Sequence, residues 1–371
     1  MSSMEIRIEP ATISAPASLP EPLGFGRHFT GRMFTRQYTA GRGWHDAVIG
    51  PYRPLGLDPA AIAVHCGQMV FDGTKAYLRP DGDLNLFRPE KNAERLNRSA
   101  ARMAMPAMEI AEQVEAIAEL VRLEHAWTPR QDGAALYVRP VMIGLDTTLE
   151  VRASRSYLFY IILSPVAPYF AGGFKPISVL VSDDFVRTVR GGTGEAKTPG
   201  NYAGSLRGTE NALAAGYQQV LWLDAVERRY VDEVGAMNIA FVYEGKRIVT
   251  PALSGAILHG ITRESLLRLA PDLGYTVEEA RIDVKQALHE IEAGKVTEAF
   301  GIGTGAVIAP VGRFGYQGRD YKVGTGDAGP VARHLFKGLT DIQYGRVQDP
   351  YGWTRRIAVA SASVKGQPAR V

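Results

Sequence analysis

The sequence predicts a mixed α/β protein of the α+β kind with two domains, on three observations. The chain has 371 residues, more than one hydrophobic core usually serves. Strand-like and helix-like stretches alternate through both halves. A segment rich in Pro and Gly, VAPYFAGGFKP (166–176), lies between two apolar runs, as a linker or functional loop does. We therefore expect a smaller N-terminal domain over residues 1–165, an interdomain loop over 166–176 and a larger C-terminal domain over 177–371.

The N-terminal part combines an extended arm with a helix. Residues 10–22, PATISAPASLPEP, contain four prolines among small residues, so this stretch is predicted to be extended. Between residues 109 and 127, apolar side chains recur at spacings of four, three and four, which is one face of a helix. These side chains are Ile110, Val114, Ile117 and Val121. One amphipathic helix is therefore expected here.

Strands come after this helix and continue beyond the linker. The runs AALYVRPVMIG (134–144) and SYLFYIILSPV (156–166) are rich in β-branched and aromatic residues. The second run is nearly all apolar, which is typical of a strand buried on both faces. After the linker, strand-like runs such as QVLWLD (219–224) alternate with helical stretches such as VKQALHEIEAG (284–294). Both halves are thus expected to mix strands and helices.

Composition and charge exclude several classes of function. Hydrophobic residues make up 46% of the chain and charged residues 22%, as in soluble globular proteins. The 42 Lys and Arg residues nearly balance 39 Asp and Glu, so neither nucleic acid nor an anionic membrane is an expected partner. The single cysteine, Cys66, and the scattered histidines predict neither a disulfide nor a metal site. The absence of a signal-peptide core and of a bilayer-spanning run predicts a cytoplasmic protein.

Three glycine-rich segments of the second half invite interpretation as phosphate-binding loops. They cover residues 191–206, 252–267 and 298–312. In the first, Lys197 is followed by Thr198 as in a Walker A loop. That motif needs Gly where Ala196 stands, and Pro199-Gly200 is expected to block the helix that must come next. The Walker A interpretation is therefore rejected.

The other two glycine-rich segments differ in the structure predicted directly after their glycines. Gly301 and Gly303 have the spacing of a dinucleotide fingerprint, but the next residues, VIAPVG, predict a strand where that site needs a helix. Gly260 precedes a helical pattern, so the backbone N–H groups of Ile261 and Thr262 are expected at a helix start, where they can bind an anion. Tight turns are the better explanation of any one of these segments when it is taken alone.

Taken together, segments along nearly the whole chain resemble the branched-chain amino acid aminotransferases, which are pyridoxal phosphate enzymes of fold type IV. The matching segments keep the family's order and approximate spacing. They are FGRHFTGRMFT, GWHDAVIGPYRPLGLDPAA, VFDGTKAY, LFRPEKNAERLNRSA, LYVRPVMIG, GGTGEAKTPGNYAGSL, DEVGAMNIAFVY, LSGAILHGITRESLL, EAFGIGTGAVIAPVG and DIQYG. The resemblance implies the two-domain architecture of that fold type, with the cofactor held mainly by the C-terminal domain.

The resemblance also implies roles for residues around the cofactor. Lys197 is expected to form the internal Schiff base and to shuttle a proton, which suits an amine whose pKa falls readily on desolvation. Tyr202 matches the tyrosine that donates to the cofactor's phenolic oxygen. Glu233 matches the glutamate that pairs with the pyridine nitrogen and keeps the ring protonated. The residues implied at the phosphate are Arg95, Ile261, Thr262 and Thr304.

A second set of residues is implied at the substrate. Tyr137 and Arg139 are expected near the α-carboxylate, and alternation places both side chains on one face of a strand. The turn at Gly305 and Ala306 is expected to assist them. The apolar part of the pocket is assigned to Phe25 and Tyr169.

The sequence departs from the family pattern at three places. Cys66 stands where the family usually has a tyrosine that walls the side-chain pocket, so a larger or differently shaped pocket is expected. Ala236 replaces a threonine near the substrate. Ala306 and Ala309 occupy the positions of a C-x-x-C pair known in some members, which excludes redox control by that route.

The implied reaction transfers the amino group of leucine, isoleucine or valine to 2-oxoglutarate, in a homodimer with the active site near the subunit interface. Three alternatives stay open. The same chemistry could serve specialised aliphatic or aromatic amino acids, or the chain could be another fold type IV enzyme such as a D-amino acid aminotransferase. From different classes, GIGTGA motivates a dinucleotide-dependent oxidoreductase, and a binding protein without a cofactor could keep the fold.

Overall fold

A computed structural model describes residues 4–167 and 174–359. The N-terminal part contains eight strands, three α-helices and one short 3-10 helix in the described residues. The strands are β1 (Arg7–Ile8), β2 (Arg32–Thr39), β3 (Gly43–Pro51), β4 (Met69–Phe71), β5 (Thr74–Leu78), β6 (Leu84–Phe87), β7 (Ala135–Gly144) and β8 (Ser156–Val166). The helices are α1 (Ile62–His65), α2 (Pro89–Arg102), α3 (Ile110–Leu123) and the 3-10 turn His125–Trp127. The predicted amphipathic helix is confirmed as α3, whereas residues 10–22 form neither helix nor strand and contain several bends.

The second part continues the alternation. Its strands are β9 (Ile177–Val181), β10 (Gln219–Leu223), β11 (Val231–Val234), β12 (Asn238–Tyr243), β13 (Arg247–Pro251), β14 (Thr276–Ala280), β15 (Val296–Gly303), β16 (Val307–Tyr316), β17 (Arg319–Lys322) and β18 (Thr354–Ile357). Its helices are α4 (Pro199–Ala203), α5 (Leu206–Ala214), α6 (Ile261–Asp272), α7 (Val284–Glu292) and α8 (Pro330–Gln343). The mixed α/β fold class is confirmed.

The strands form two sheets of nine strands each in the described residues. The first has the order β1-β3-β2-β8-β7-β5-β6-β18, with β4 also paired to β7. The second has the order β11-β10-β9-β16-β15-β12-β13-β14, with β17 paired to β16. The change of sheet falls between β8 and β9, where the interdomain loop is predicted, while β18 returns to pair with β6. The domain bounds stay a prediction.

Three large hydrophobic cores of the described residues hold the layers together. One lies between the first sheet and helices α2 and α3, and another between the second sheet and α7. A third joins the two sheets, since it contains Tyr77 and Tyr137 of the first sheet, Ile302 of the second, and apolar residues of α6 and α8. Burial of these apolar side chains fixes one sheet against the other. A cleft between the sheets is thereby held in place.

Two sequence expectations about local structure were wrong. Residues 157–163 of β8 alternate between buried and partly exposed, because the sheet is antiparallel there and the helices cover one face. Pro199 does not block a helix but begins α4. At the first helical position the missing N–H is not needed and the fixed φ of proline suits the helix. The third glycine-rich segment forms β15, a turn and β16, so the helix of a dinucleotide site is absent from it, as expected.

Within the described residues, every helix is too short or too polar to cross a membrane.

Candidate active site

A cavity of about 230 Å³ lies between the two sheets. It is lined by residues of both sheets, by the Lys197 loop, by the start of α6 and by the turn between β15 and β16. The residues predicted at the cofactor or substrate that line it are Phe25, Arg95, Tyr137, Arg139, Lys197, Tyr202, Glu233, Ala236, Ile261, Thr262, Thr304, Gly305 and Ala306. Segments far apart in sequence therefore meet at one place.

Lys197 lies in the loop before α4, and its amine is held at one position. The Nζ atom donates to the Tyr202 hydroxyl at 2.6 Å and lies 5.2 Å from the centre of the Phe71 ring. The backbone is fixed on both sides, since the Lys197 N–H donates to Ser99 Oγ and the Lys197 carbonyl accepts from the Phe71 N–H. Asn201 ties the preceding loop to α4 through the carbonyls of Thr193 and Ala196. This constraint aims one amine and one phenol at the cavity.

Arg95, on α2, is buried and paired with a residue that the sequence analysis did not single out. Its Nε and Nη2 atoms donate to the two carboxylate oxygens of Asp72 at 2.8 and 2.6 Å. Asn92 and the Gly73 N–H donate to the same carboxylate. Burial opposes ionisation of Asp72, but Arg95 outweighs it and holds the pKa of Asp72 below its usual value. The sequence signal for Asp72 was its place as the acidic residue of the VFDGTKAY segment.

The third Arg95 nitrogen, Nη1, donates to the His259 carbonyl at 3.3 Å, just before α6 begins. Gly260 is the N-cap of this helix, so no cap side chain covers the first N–H groups. A Cβ at Gly260 would lie 1.9 Å from the Asn238 side-chain oxygen, which explains the glycine. The expected helix start is confirmed, and the N–H groups of Ile261 and Thr262 are available to an anion beside Arg95.

Glu233, on β11, is a buried carboxylate that lines the same cavity. Burial raises its pKa, and the nearby Arg187 guanidinium partly offsets that effect. Arg187 forms an ion pair with Glu233 Oε2, and Asn238 donates to Oε1 at 3.2 Å. The sequence analysis missed Arg187, whose only signal was an arginine closing the run ISVLVSDDFVR. Because Arg187 is also buried, the two charges stabilise each other in a medium of low polarity.

The burial of Asp232, next to Glu233, leads us to expect that the stability of the folded protein depends on pH. Asp232 is buried, and none of the described residues donates a hydrogen bond to its side chain. Burial, with help from the Glu233 charge, raises its pKa to about 7. The folded protein therefore binds a proton between pH 4 and 7 that the unfolded chain releases, so this group lowers stability as pH rises through that window.

Asp232→Asn is expected to be more stable than the unchanged protein at pH 8, by as much as about 4 kcal/mol, with a smaller difference at pH 5. Urea unfolding at the two pH values measures this. Asp184→Asn, which changes an exposed aspartate in the second part of the fold, should leave both values unchanged. An Asp232→Asn variant no more stable at pH 8 than at pH 5, relative to the unchanged protein, would contradict the prediction.

Three of the residues predicted at the substrate, Phe25, Tyr137 and Arg139, lie on the first-sheet side. Tyr137 and Arg139 both face the cavity from β7, and Arg139 Nη2 donates to the Tyr137 hydroxyl at 3.2 Å. The Phe25 ring packs edge-on against Tyr137 at 5.1 Å between ring centres. The Nε atom of Arg139 is buried without a hydrogen-bond partner in the described residues. An acceptor supplied by a ligand would satisfy it.

One predicted residue of the described chain is not brought to this cavity, and another falls outside the described residues. Cys66 lies on the surface at the end of α1, with its sulfur 3.3 Å from His65 Nδ1, and does not line the cavity in the described chain. Tyr169 falls outside the described residues. Ala236 lines the cavity from the turn between β11 and β12.

Comparisons with known proteins agree on one family. The family described as amino-transferase class IV matches residues 69–314. Branched-chain-amino-acid transaminase 1 of Bacillus subtilis is 48% identical over 339 residues, which are 91% of this chain and 95% of that protein. A probable branched-chain-amino-acid aminotransferase of Streptomyces coelicolor is also 48% identical, over 94% of this chain and 96% of its own.

Among solved structures, the T.th. branched-chain amino acid aminotransferase with pyridoxamine 5'-phosphate is similar to this chain. It has a TM-score of 0.74 and 26% identity, and the match covers 89% of this chain and 99% of that one. The matched family model and the shared fold define a class IV aminotransferase, a pyridoxal phosphate enzyme. The relatives, which are 48% identical over nearly the whole chain, identify the family more narrowly than this class does. The chain belongs to the branched-chain amino acid aminotransferase family.

Proposed function

We propose that this protein transfers the amino group of L-leucine, L-isoleucine and L-valine to 2-oxoglutarate, giving branched-chain 2-oxo acids and L-glutamate. The observation that carries the proposal is the hydrogen bond between Lys197 and Tyr202 inside a cavity that also contains a buried carboxylate and a buried arginine. The relatives named for branched-chain amino acids cover nearly the whole chain and support this substrate class.

The residues fit pyridoxal phosphate, because each answers a different chemical need of it. Lys197 would hold the aldehyde carbon, and Tyr202 would donate to the phenolic oxygen. Glu233, whose pKa is raised by burial, would take up position at the pyridine nitrogen. When bound, the cofactor supplies an electron sink for the carbanion formed at the substrate α-carbon.

A separate group of hydrogen-bond donors supports the proposed position of the cofactor's phosphate. Arg95 lines the cavity and keeps two N–H groups beyond those bound to Asp72 and the His259 carbonyl, and Ile261 and Thr262 line the same cavity. Thr304, in the turn after β15, completes the proposed set. Arginine and a helix start together suit a dianion.

Lys197 has a second proposed role after the amino donor has displaced it. Its freed amine would remove the proton from the substrate α-carbon and return a proton during the exchange. Tyr202, at 2.6 Å from Nζ, would hold that amine between the two events. The 2-oxo acid formed from the donor leaves before 2-oxoglutarate takes up the amino group at the same site, so the reaction should alternate between donor and acceptor.

The substrate carboxylate is proposed to lie against Tyr137, Arg139 and the turn at Gly305 and Ala306. The buried Arg139 Nε without a partner among the described residues supports an anion there, because a buried donor left unpaired is costly. Phe25, packed on Tyr137, offers an apolar wall to a branched side chain. Tyr169 is retained as a further proposed member of that wall.

A panel of amino donors tests the proposed substrate class. Purified protein loaded with pyridoxal phosphate is given 2-oxoglutarate and each of L-leucine, L-isoleucine, L-valine, L-phenylalanine and D-alanine, and kcat/KM is measured. The three branched donors should be used best. A higher value with L-phenylalanine would favour the specialised variant of the same chemistry. A higher value with D-alanine would favour a D-amino acid aminotransferase and contradict the proposal.

We also propose that two copies associate through the face that carries α1 and the segment after β7. This face exposes Val64, Leu149 (80% exposed) and Val151 (95% exposed). His65 Nε2 lies 2.9 Å from the Thr148 carbonyl and joins the two elements. Exposed apolar side chains grouped in this way are typical of an interface. Sedimentation equilibrium should give the mass of a dimer.

A cytoplasmic location is proposed on the single cysteine alone.

Cys66 lies on this face, so a second copy could bring it to the pocket of its partner, where the family usually has a tyrosine. Cys66→Tyr is expected to lower kcat/KM for L-phenylalanine relative to L-valine by roughly tenfold, because the larger ring removes space. Donor kinetics measure the ratio. Cys66→Ser, of nearly equal size, should leave it unchanged. An unchanged ratio in Cys66→Tyr would end the pocket hypothesis.

A further inference from the structure

A second cavity, of about 220 Å³, lies beside the first. The two cavities share only Gly305 and Ala306 among their described lining residues, so this turn forms the wall between them. The second cavity has no part in the function proposed above. It is lined by β5, by α8 and by Phe174, which lies shortly before β9 in sequence.

Two polar side chains enter this second cavity from one face of β5. Lys75 is 4% exposed and Tyr77 is 3% exposed. Lys75 Nζ donates to the Gly305 carbonyl at 2.7 Å, and no carboxylate of the described residues pairs with it. The Tyr77 hydroxyl has no hydrogen-bond partner in the described part of the chain, although its ring packs on Tyr344. The ammonium of a buried lysine and the hydroxyl of a buried tyrosine are thus left with unused donors.

The charge state of Lys75 is compatible with an anionic ligand. Burial lowers its pKa to about 8, so the ammonium is still the main form at pH 7. A buried cation without a counter-charge is costly, and an anion brought to it recovers part of that cost. A carboxylate could accept from both Lys75 and Tyr77, since residues two apart on a strand point the same way.

The remainder of the second cavity is mostly apolar and aromatic. The Phe174 and Phe336 rings pack with 4.6 Å between their centres. The Tyr344 hydroxyl is already committed, because it donates to the Ala134 carbonyl at 2.9 Å. The carboxylate that lines the cavity, Asp132, is exposed and pairs with Arg346. Among the described lining residues, an amino acid would therefore find no unpaired carboxylate for its ammonium group near Lys75.

We propose that the second cavity binds a small monocarboxylate with a branched or aromatic hydrocarbon part. The carboxylate would lie on Lys75 and Tyr77, and the hydrocarbon would lie against Phe174, Phe336 and Tyr344. The class includes 2-oxo acids as well as simple fatty and arylacetic acids, which share this chemistry.

Ligand binding at the second cavity should alter substrate binding in the first. Lys75 would hold the ligand and the Gly305 carbonyl at once, and Gly305 belongs to the turn proposed at the substrate carboxylate. A ligand that shifts Lys75 therefore shifts that turn, and the two sites are coupled through a contiguous contact. The binding part of this inference is independent of the proposed function, whereas the effect on the rate rests on it.

Equilibrium dialysis of the full-length enzyme with its cofactor, using radiolabelled 4-methylvalerate as the probe, tests the site. Two equivalents per chain are expected, one in each cavity. In Tyr77→Phe and in Lys75→Met, one equivalent should weaken by about tenfold or more, because a charge-assisted hydrogen bond is lost, while the other is retained. A single equivalent in the unchanged enzyme, or two equivalents of unchanged affinity in both variants, would overturn the proposal.

Controls separate ligand binding from folding and from catalysis. Tyr316→Phe alters a buried tyrosine of another core and should bind both equivalents normally, and melting curves should show that all variants fold. Without 4-methylvalerate, Tyr77→Phe should transaminate at the unchanged rate. With it, the component of inhibition that is not competitive with the amino donor should disappear. Dialysis remains informative even if the amino-donor panel fails.

Discussion

Replacing Lys197 with alanine is expected to reduce transamination by at least about ten thousandfold and to abolish the visible absorbance of the protein with its cofactor. The proposed roles of covalent attachment and of proton transfer at the substrate α-carbon would be lost together. Tyr202, the hydrogen-bond partner of Nζ, cannot replace the amine, because a phenol forms no Schiff base with an aldehyde. Stopped-flow absorbance with L-leucine and a steady-state assay with 2-oxoglutarate measure the two effects.

Lys91→Ala is the matched control for Lys197→Ala. Lys91 lies on α2, is half exposed and pairs with Glu94, so its loss should leave both absorbance and rate unchanged. If Lys197→Ala kept the visible absorbance and a rate within tenfold of the unchanged enzyme, the proposed role of Lys197 would be wrong. A colourless unchanged protein that binds a nicotinamide cofactor would point to the oxidoreductase alternative.

Asp72→Asn is expected to destabilise the protein without cofactor by about 3 to 5 kcal/mol, because removing one charge of a buried pair leaves the other without compensation. Asp72 is fully buried and Arg95 nearly so. The effect should shrink as pH falls through the folded pKa of Asp72, which lies below the usual range because of Arg95, since protonation breaks the pair in the unchanged protein as well. Urea unfolding at pH 7 and at acid pH measures this.

The same substitution should weaken cofactor binding by roughly tenfold, because an amide can accept only one of the two hydrogen bonds that fix the plane of Arg95. Glu94→Gln, which breaks a partly exposed pair on the same helix, should cost less than about 1 kcal/mol and leave cofactor affinity unchanged. If Asp72→Asn lost as little stability and cofactor affinity as Glu94→Gln, the buried pair would contribute little to the site.

Much of the site could be predicted before the fold was known. Gly260 before an apolar-periodic run predicts a helix start, and α6 begins at the next residue. Alternation along β7 predicts Tyr137 and Arg139 on one face, and both line the cavity. Resemblance to a family supplied the roles of Lys197 and Glu233, which no local pattern distinguishes from other charged residues.

Other features escaped because local rules were applied too strictly. Proline was expected to stop a helix after Lys197, yet Pro199 begins α4, since position within the helix decides its effect. The run of β8 was expected to be buried on both faces because it is apolar, yet the helices cover one side of that sheet. The number of layers around a strand cannot be read from the strand itself.

The sequence by itself determined the periods of the helices and strands, the helix start at Gly260 and the segments that identify the family. These depend on neighbours within a few residues, or on patterns that relatives share. Only the tertiary structure decided which charges meet: Asp72 with Arg95, Arg187 with Glu233, and Lys75 with the Gly305 carbonyl, separated by 23, 46 and 230 residues. The physical reason is that burial of apolar faces brings the two sheets together, and that packing alone sets the partners of each buried charge.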